Sequence, residues 1–455
     1  MIIKYIDLFA GIGGMRLGFE KACQRMGLKA ECVLASEIKR TAIQAYEDNF
    51  NEEVKGDITQ IPACKIPEFN YLLAGFPCQS FSTAGKREGF SDTRGTLFFE
   101  IEEILDYHRP DGFLLENVDN LVNHDKGKTL EIIERKLSSL GYYVAWGVFN
   151  AKFFGVAQER KRIYIVGTKK APVPLQDLHL VIERRDKQTK LKDILQTGLP
   201  VLEDKFSQNL VSKIPITQLP GKAIKDKRGG KNNIHSWELD WKGETTEEQK
   251  EIMNTLLKNR RWKKWADRKG IKWMDGMPLT LEEIETFYGE IEKKVEISDS
   301  RSLKQKLDDL VNKGYLRLEH PKDEIIEEKD GEFVKKRVFR EDLPKGYNIV
   351  TGKLSFPISK ILDQEDIAPA LVATDMDKLA VVDGEGVRQL SVREGLRLFG
   401  FPEDYRLDLN PKKVYDLLGN TVVVPVIEEV SLKILEAGLK KYSSLSFQRE
   451  LPVCS

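Results

Sequence analysis

Ile2-Ile3-Lys4-Tyr5-Ile6-Asp7-Leu8-Phe9-Ala10-Gly11-Ile12-Gly13-Gly14 begins as an apolar strand and empties into a glycine-rich turn. Met15–Met26 follows with the apolar spacing of a helix, and Gly27 stops it. Strand, tight turn and helix open an α/β unit, in which the next strand lies parallel to the first. Glycines so close together let the backbone turn sharply and approach a ligand, with the positive end of a helix behind it. The spacing is not the GxGxxG of dinucleotide sites. The same rhythm continues: strand Cys32–Ser36, helix Ile38–Asn49, then strands Tyr71–Phe76, Gly112–Leu115, Tyr143–Phe149 and Ile163–Gly167. The expected fold class is α/β, built on a doubly wound, mostly parallel sheet.

The rhythm stops near residue 169. From 170 to 388 the chain is charge-rich and irregular, with Lys-Arg-Gly-Gly-Lys at 227–231 reading as a flexible loop. Helical spacing returns at Gln389–Phe399, and Val422–Leu439 reads as a long amphipathic helix with Pro425 in its first turn. The expected organisation is a catalytic domain split into 1–169 and 389–442, a large α+β insertion at 170–388, and a frayed tail at 443–455. Within the insertion Leu303, Leu307, Leu310 and Val311 share a helical face closed by Gly314. Strand-like segments follow, which allows a winged-helix-like module, though a helix followed by a hairpin is more often an ordinary α+β core.

Length and composition bound the function. The 455 residues are enough for two domains or more, and 41% apolar content supplies their cores. Charge is high but balanced, 72 basic against 72 acidic residues, so any nucleic-acid surface must be local. Five cysteines without a CxxC pair and five scattered histidines suggest no metal site and a set of unpaired thiols suited to a reducing cytoplasm. No stretch reads as a signal peptide or a membrane span, so a soluble, cytoplasmic protein is expected.

Gly75-Phe-Pro77-Cys78-Gln79-Ser-Phe-Ser82 presents one cysteine, which taken alone reads as a small buried hydrophobe more often than as a nucleophile. Pro77 stops the strand before it, so Cys78 is expected where a strand becomes a loop, the edge at which open α/β sheets bind ligands. A second strand ends in Glu116-Asn117-Val118, which suggests that a thiol and a carboxyl share one site. Glu37 ends the second strand and is placed to accept from ribose hydroxyls, and Asp57 stands where a third strand should end. The alternative is that either acid caps the next helix.

Asp7–Glu20, Gly75–Ser82, Glu116–Val118, Gln158-Glu-Arg160-Lys-Arg162 and Gly419-Asn420-Thr-Val422-Val-Val-Pro-Val426 occur in this order. Together they resemble the motif series of the DNA (cytosine-5) methyltransferases, over about residues 1–168 and 388–440. The resemblance implies a Rossmann-like, S-adenosylmethionine-dependent methyltransferase with the insertion as target-recognition domain, and a restriction–modification role. It implies Cys78 as nucleophile, Glu116 as the acid toward N3 of cytosine, Asn117 placing the base or bracing the loop, Arg162 at O2, and Arg160 bracing the site or a phosphate. Phe9, Ala10, Gly11, Gly13, Gly14, Glu37, Asp57, Ile58, Pro77, Leu97, Asn420 and Val422 are the implied cofactor-binding residues. Arg393 matches an arginine that braces the recognition domain.

Glycines and cations in 79–96 suit a loop that closes over an extruded nucleotide, with Gln79, Ser82, Lys86 and Arg87 against DNA. In the insertion, Arg260, Arg261, Lys263 and Lys264 interleave with tryptophans, as in a phosphate-tracking surface, or equally as in a helix with buried tryptophans and solvated lysines. The expected partner is duplex DNA of a specific sequence, bound by a monomer, with a cognate endonuclease as a companion that makes no stable contact. Rival readings are a tRNA cytosine-5 methyltransferase and a non-catalytic DNA-binding regulator on the same scaffold.

Overall fold

The computed structural model describes residues 1–76, 96–178, 188–227, 232–273, 276–296, 299–329, 332–351 and 356–439. The chain folds into two compact units, one of residues 1–197, 363–377 and 390–455, the other of 198–362 and 378–389.

The first unit opens as β1 (Ile2–Leu8), α1 (Gly14–Arg25), β2 (Lys29–Ser36), α2 (Arg40–Phe50) and β3 (Tyr71–Gly75). It continues as α3 (Thr96–His108), β4 (Gly112–Val118), α4 (Lys128–Ser139), β5 (Tyr143–Asn150) and β6 (Lys161–Thr168). The six strands form one sheet in the order β2-β1-β3-β4-β6-β5. Strands β2, β1, β3 and β4 pair in parallel, and β6 runs antiparallel to both neighbours. Buried on both faces, β3 and the Gly112–Leu115 part of β4 are continuous apolar runs rather than alternating ones.

The second unit contributes α5 (Lys205–Lys213), β7 (Ala223–Ile224), β8 (Asn233–Ile234), α6 (Glu247–Asn259), α7 (Lys263–Lys269), α8 (Leu281–Glu292) and α9 (Leu303–Asn312). Then come β9 (Leu316–Glu319), β10 (Lys322–Lys329), β11 (Glu332–Phe339), β12 (Gly346–Ile349), β13 (Lys360–Ile361), β14 (Leu379–Asp383) and β15 (Gly386–Gln389). The helices α6 to α9 share a core with β9 and β12 that buries Trp237, Trp265, Leu307 and Leu310. Leu279, between α7 and α8, bridges Tyr347 of β12, while β12 pairs with β9 and β10 pairs with β11 as a hairpin. Helix, bridging residue, two helices, strand, hairpin, strand is the order of a winged helix.

The first unit is completed by α10 (Val392–Leu398), α11 (Pro411–Gly419) and α12 (Val424–Gly438). Helix α12 returns to pack on α1, and the approach is close: a Cβ added at Gly18 would lie 2.5 Å from Ile427 Cβ. Gly18 is therefore a packing residue, not a turn.

Several expectations are corrected. Residues 170–197 belong to the first unit: the Leu191 and Lys192 N–H groups donate to the Asp366 and Gln364 carbonyls at 3.0 Å, and Gln196 N–H to Glu394 Oε1 at 2.8 Å. Composition registered the end of the α/β rhythm, which is not a change of packing partner. Asp57 is not on a strand but precedes a short 3-10 turn at Ile58–Gln60. Arg393 donates to the Pro402 and Tyr405 carbonyls of its own unit, so the part it braces is the turn after α10. Cys23 and Cys32 are free, whereas Cys64 is disulfide-bonded, against the reading of five unpaired thiols; spacing reveals only sequence-local pairs. The 228–231 part of the expected flexible loop and the tail from 440 lie outside the described residues. Among the described residues no helix is long and apolar enough to cross a membrane.

Candidate active site

A cavity of about 1060 Å³ opens at the carboxyl ends of β1 to β4. One wall is the turn after β1, where Phe9, Gly11 and Gly13 take φ values of 56°, 56° and 77°. For Phe9 that left-handed conformation is strained, and strain of this kind is held only where surrounding structure enforces it. A Cβ added at Gly11 would meet nothing within 4 Å, so the wall there is exposed backbone.

The two acids expected at strand ends hold this wall. Glu37 Oε2 accepts from Gly11 N–H and its Oε1 from the Ile38 and Lys39 N–H groups, all at 2.9 Å. Asp57 Oδ1 accepts from Thr59 N–H at 3.0 Å. Local capping is thus real, and both residues line the cavity as well. Phe9, Gly11, Ile58, Leu97 and Asn420 line it too, giving apolar surfaces beside two carboxylates. That donor set fits a purine nucleoside: flat walls for the base, acceptors for hydroxyl and amino hydrogens.

Ala10, Gly13, Gly14 and Val422 are not among the lining residues. Ala10 is buried with Ala35, Tyr46 and Val54. A Cβ at Gly13 would run into the Phe50 ring, and one at Gly14 would lie 2.8 Å from Val422 Cγ2. These residues shape the turn from behind, because a tight turn presents only some of its backbone to the ligand side.

The opposite wall carries Glu116, Asn117, Arg160 and Arg162. Antiparallel pairing sets Val118 against Arg162 and Glu116 against Tyr164, so Arg162 is a diagonal neighbour of Glu116 on the sheet. Arg162 Nε lies 3.1 Å from Glu116 Oε1. Glu116 is only 8% exposed, and burial pushes its carboxyl above the usual range despite the opposing pull of Arg162 and Arg160. Asn117 is fixed, with Nδ2 donating to the Phe76 carbonyl at 3.1 Å and Oδ1 accepting from Val118 N–H at 2.8 Å.

Arg160 has a different task. Its guanidinium donates to the Leu371, Gly419 and Thr421 carbonyls at 2.7, 3.2 and 2.9 Å. It is buried, and burial with the neighbouring Arg162 lowers its pKa to about 10. It ties the segment before β6 to the chain around α11, which completes the cavity wall. Gln158, also buried, donates to the Leu398 carbonyl and accepts from Leu371 N–H.

Sequence reasoning missed Ser36, Glu100 and Thr421, which also line the cavity. Glu100 stands one helical turn after Leu97, so the spacing of α3 could have revealed it; burial, with Glu103 and Asp57 nearby, raises its carboxyl. Pro77, Cys78, Gln79, Ser82, Lys86 and Arg87 lie outside the described residues.

The tryptophan-rich stretch of the second unit combines both readings. Trp237 and Trp265 are core, while Lys263 and Lys264 are exposed, Lys264 lying over the Trp262 and Trp265 rings. Arg260 is 3% exposed and donates to Asn348 Oδ1 at 2.9 Å, so it is not the surface cation that the basic run suggested.

Residues 3–436 match the family model of the C-5 cytosine-specific DNA methylases. The chain is 52% identical over 441 residues to the Type II methyltransferase M.NlaIV of Neisseria lactamica, covering 95% of this chain and 99% of that protein. It is 42% identical over 449 residues to the Type II methyltransferase M.BanI of Aneurinibacillus aneurinilyticus, covering 94% and 95%. The crystal structure of the S. pombe Dnmt2 methyltransferase superposes with a TM-score of 0.51 at 16% identity, over 95% of this chain and 98% of that one, a likeness of fold alone.

Proposed function

The chain belongs to the C-5 cytosine-specific DNA methylase family, and from that premise we propose how its residues carry out the methylation of cytosine in duplex DNA. It is a DNA (cytosine-5) methyltransferase of the kind that pairs with restriction. The cofactor of such chemistry, S-adenosylmethionine, supplies an electrophilic methyl group. Gly11 and Phe9 would flank it, Glu37 would accept from the ribose hydroxyls, and Asp57 with Ile58 would take the adenine.

Carbon 5 of cytosine is too electron-poor to attack such a methyl group. Addition of the Cys78 thiolate at C6 forms an S–C6 bond and moves the C5–C6 π electrons into an enamine whose C5 is nucleophilic. The ring becomes more receptive when its N3 is protonated. Glu116, buried and with its pKa raised by that burial, is suited to pass a proton to N3. Arg162 donates to O2, and Asn117, held by Phe76, keeps the β4 end in place. Once C5 carries the methyl group, loss of its proton to a base returns the electron pair to the ring and expels Cys78 as thiolate. A base inside a duplex cannot reach this pocket, so the target must be extruded, at a cost of a few kcal/mol in stacking and pairing.

The observation that carries this reading is Glu116, buried beside Arg162 in the same cavity that holds Glu37, Asp57 and the exposed Gly11 backbone. Labelled methyl transfer onto duplex DNA and onto tRNA tests it, followed by bisulfite sequencing of DNA from expressing cells. Label in C5 of cytosine within a fixed DNA sequence is the expected result; label confined to tRNA, or none, would overturn it.

A further inference from the structure

The second unit holds a cavity of about 350 Å³ at the base of the β10–β11 hairpin. Among its described lining residues are six cations, Lys227, Arg260, Arg261, Arg317, Lys322 and Arg337, against one carboxylate, Glu319. Glu319 is already engaged: Arg317 Nε lies 2.9 Å from its Oε2, and Asn348 Nδ2 donates to its Oε1 at 2.6 Å. The described lining residues therefore carry more positive than negative charge. Its cations come from separate elements, namely the segment after β7, the end of α6, β9, β10 and β11, and the fold itself gathers them. Arg337 lies over Trp273, its guanidinium carbon 3.7 Å from the ring centroid, a contact that favours a planar donor there.

A helix of this arrangement that entered a groove would be α9, yet its charges are spent locally. Lys304 pairs with Asp308 at 2.6 Å, Asp309 with Lys313 at 2.7 Å, and Lys306 is buried against Glu248 at 2.7 Å. The excess positive charge lies at the hairpin base instead.

We propose that this cavity seats a backbone phosphate of the duplex DNA substrate, gripped by Arg261, Arg317 and Arg337, so that the module engages DNA through its hairpin side and not through α9. The proposal rests on the methyltransferase reading above. Fixed guanidinium forks suit a phosphodiester, and contacts of this kind set register without reading bases.

The test uses the full-length enzyme and a duplex containing its target sequence, with binding followed by anisotropy across salt and with kcat and KM measured. Arg337→Ala and Arg317→Gln combined should reduce the slope of log affinity against log salt by roughly 0.9, the release expected for one phosphate contact, and each alone by part of that. KM for DNA should rise about three- to tenfold, with kcat at saturating DNA unchanged. Arg337→Lys should keep the slope, and Lys304→Ala should leave both slope and KM alone. An unchanged slope in Arg337→Ala and Arg317→Gln, with unfolding midpoints intact, overturns the proposal, as does loss of the slope in Lys304→Ala. If inorganic phosphate raises the wild-type melting temperature and Arg337→Ala abolishes that effect with an unchanged DNA slope, the cavity holds a free anion and the proposal falls. Wild-type enzyme that binds DNA but transfers no methyl group would instead overturn the functional reading alone.

Discussion

Arg162 Nε sits 3.1 Å from Glu116 Oε1, yet burial outweighs that nearby cation and leaves the Glu116 carboxyl raised. The pair defines a donor poised to give a proton, with a positive neighbour to stabilise the carboxylate left behind. Geometry and the direction of the shift thus both suit an acid.

Glu116→Gln should keep the shape and lose the transferable proton. We expect kcat to fall by about 10²- to 10⁴-fold while cofactor affinity changes little. The wild-type rate should fall as pH rises through the raised Glu116 pKa, because only the protonated form donates, and the variant should lose that alkaline limb. Stability has its own sign. The unfolded chain releases this proton near pH ~4.3, the folded chain only at higher pH, so deprotonation penalises the fold as pH rises. The variant carries no such penalty, so urea unfolding should show the stability difference shifting in its favour between pH 4 and pH 8.

Glu37→Ala should weaken the cofactor and distort its cradle together, since one carboxylate serves Gly11 N–H and the start of α2. Losing a charged acceptor of this kind corresponds to a rise in the cofactor dissociation constant of about ten- to a hundredfold. Equilibrium binding of S-adenosylhomocysteine measures it; an unchanged constant would remove Glu37 from the site.

The sheet and the cavity floor were legible because their signals are local. Apolar runs of strand length alternating with helical spacing mark β1 to β6, and Glu37 and Glu116 announce themselves as the acids that follow two of those apolar runs. The second layer was not legible. Gly14 and Val422 carry motif identities, but only the fold shows that they pack against each other behind the turn. Arg160 reads as a charged strand end, and its carbonyl partners at 371, 419 and 421 are more than two hundred residues away in sequence. The basic cavity was half legible: Arg260 and Arg261 stood out in the sequence, whereas Arg317 and Arg337 are brought to them by the β9–β12 pairing and the hairpin.

Gly18→Val should unfold the first unit more easily. The added atoms would meet Ile427 and the Val424 carbonyl, the latter 2.9 Å from the ideal Cβ position, and backbone cannot move aside cheaply. Overpacking of this kind costs about 1–3 kcal/mol, readable from the urea midpoint. Gly289→Ala in α8 is the contrast: its Cβ meets nothing within 4 Å, so it should gain about 0.4–1 kcal/mol from reduced unfolded-state freedom.

Cys78→Ala should abolish methylation and leave binding to duplex DNA intact. The assignment comes from the strand-to-loop position and the family motif, and its physical content is that sulfur must bond to C6 before C5 can react. A duplex bearing 5-fluorocytosine at the target separates this from simple loss of fold. With fluorine at C5 there is no proton to lose after methylation, so the wild-type enzyme should remain attached and migrate as a covalent complex on a denaturing gel. Cys78→Ala should form none at any time, even where anisotropy shows it bound. A trapped complex formed by Cys78→Ala, or near-normal turnover, would move the nucleophile elsewhere.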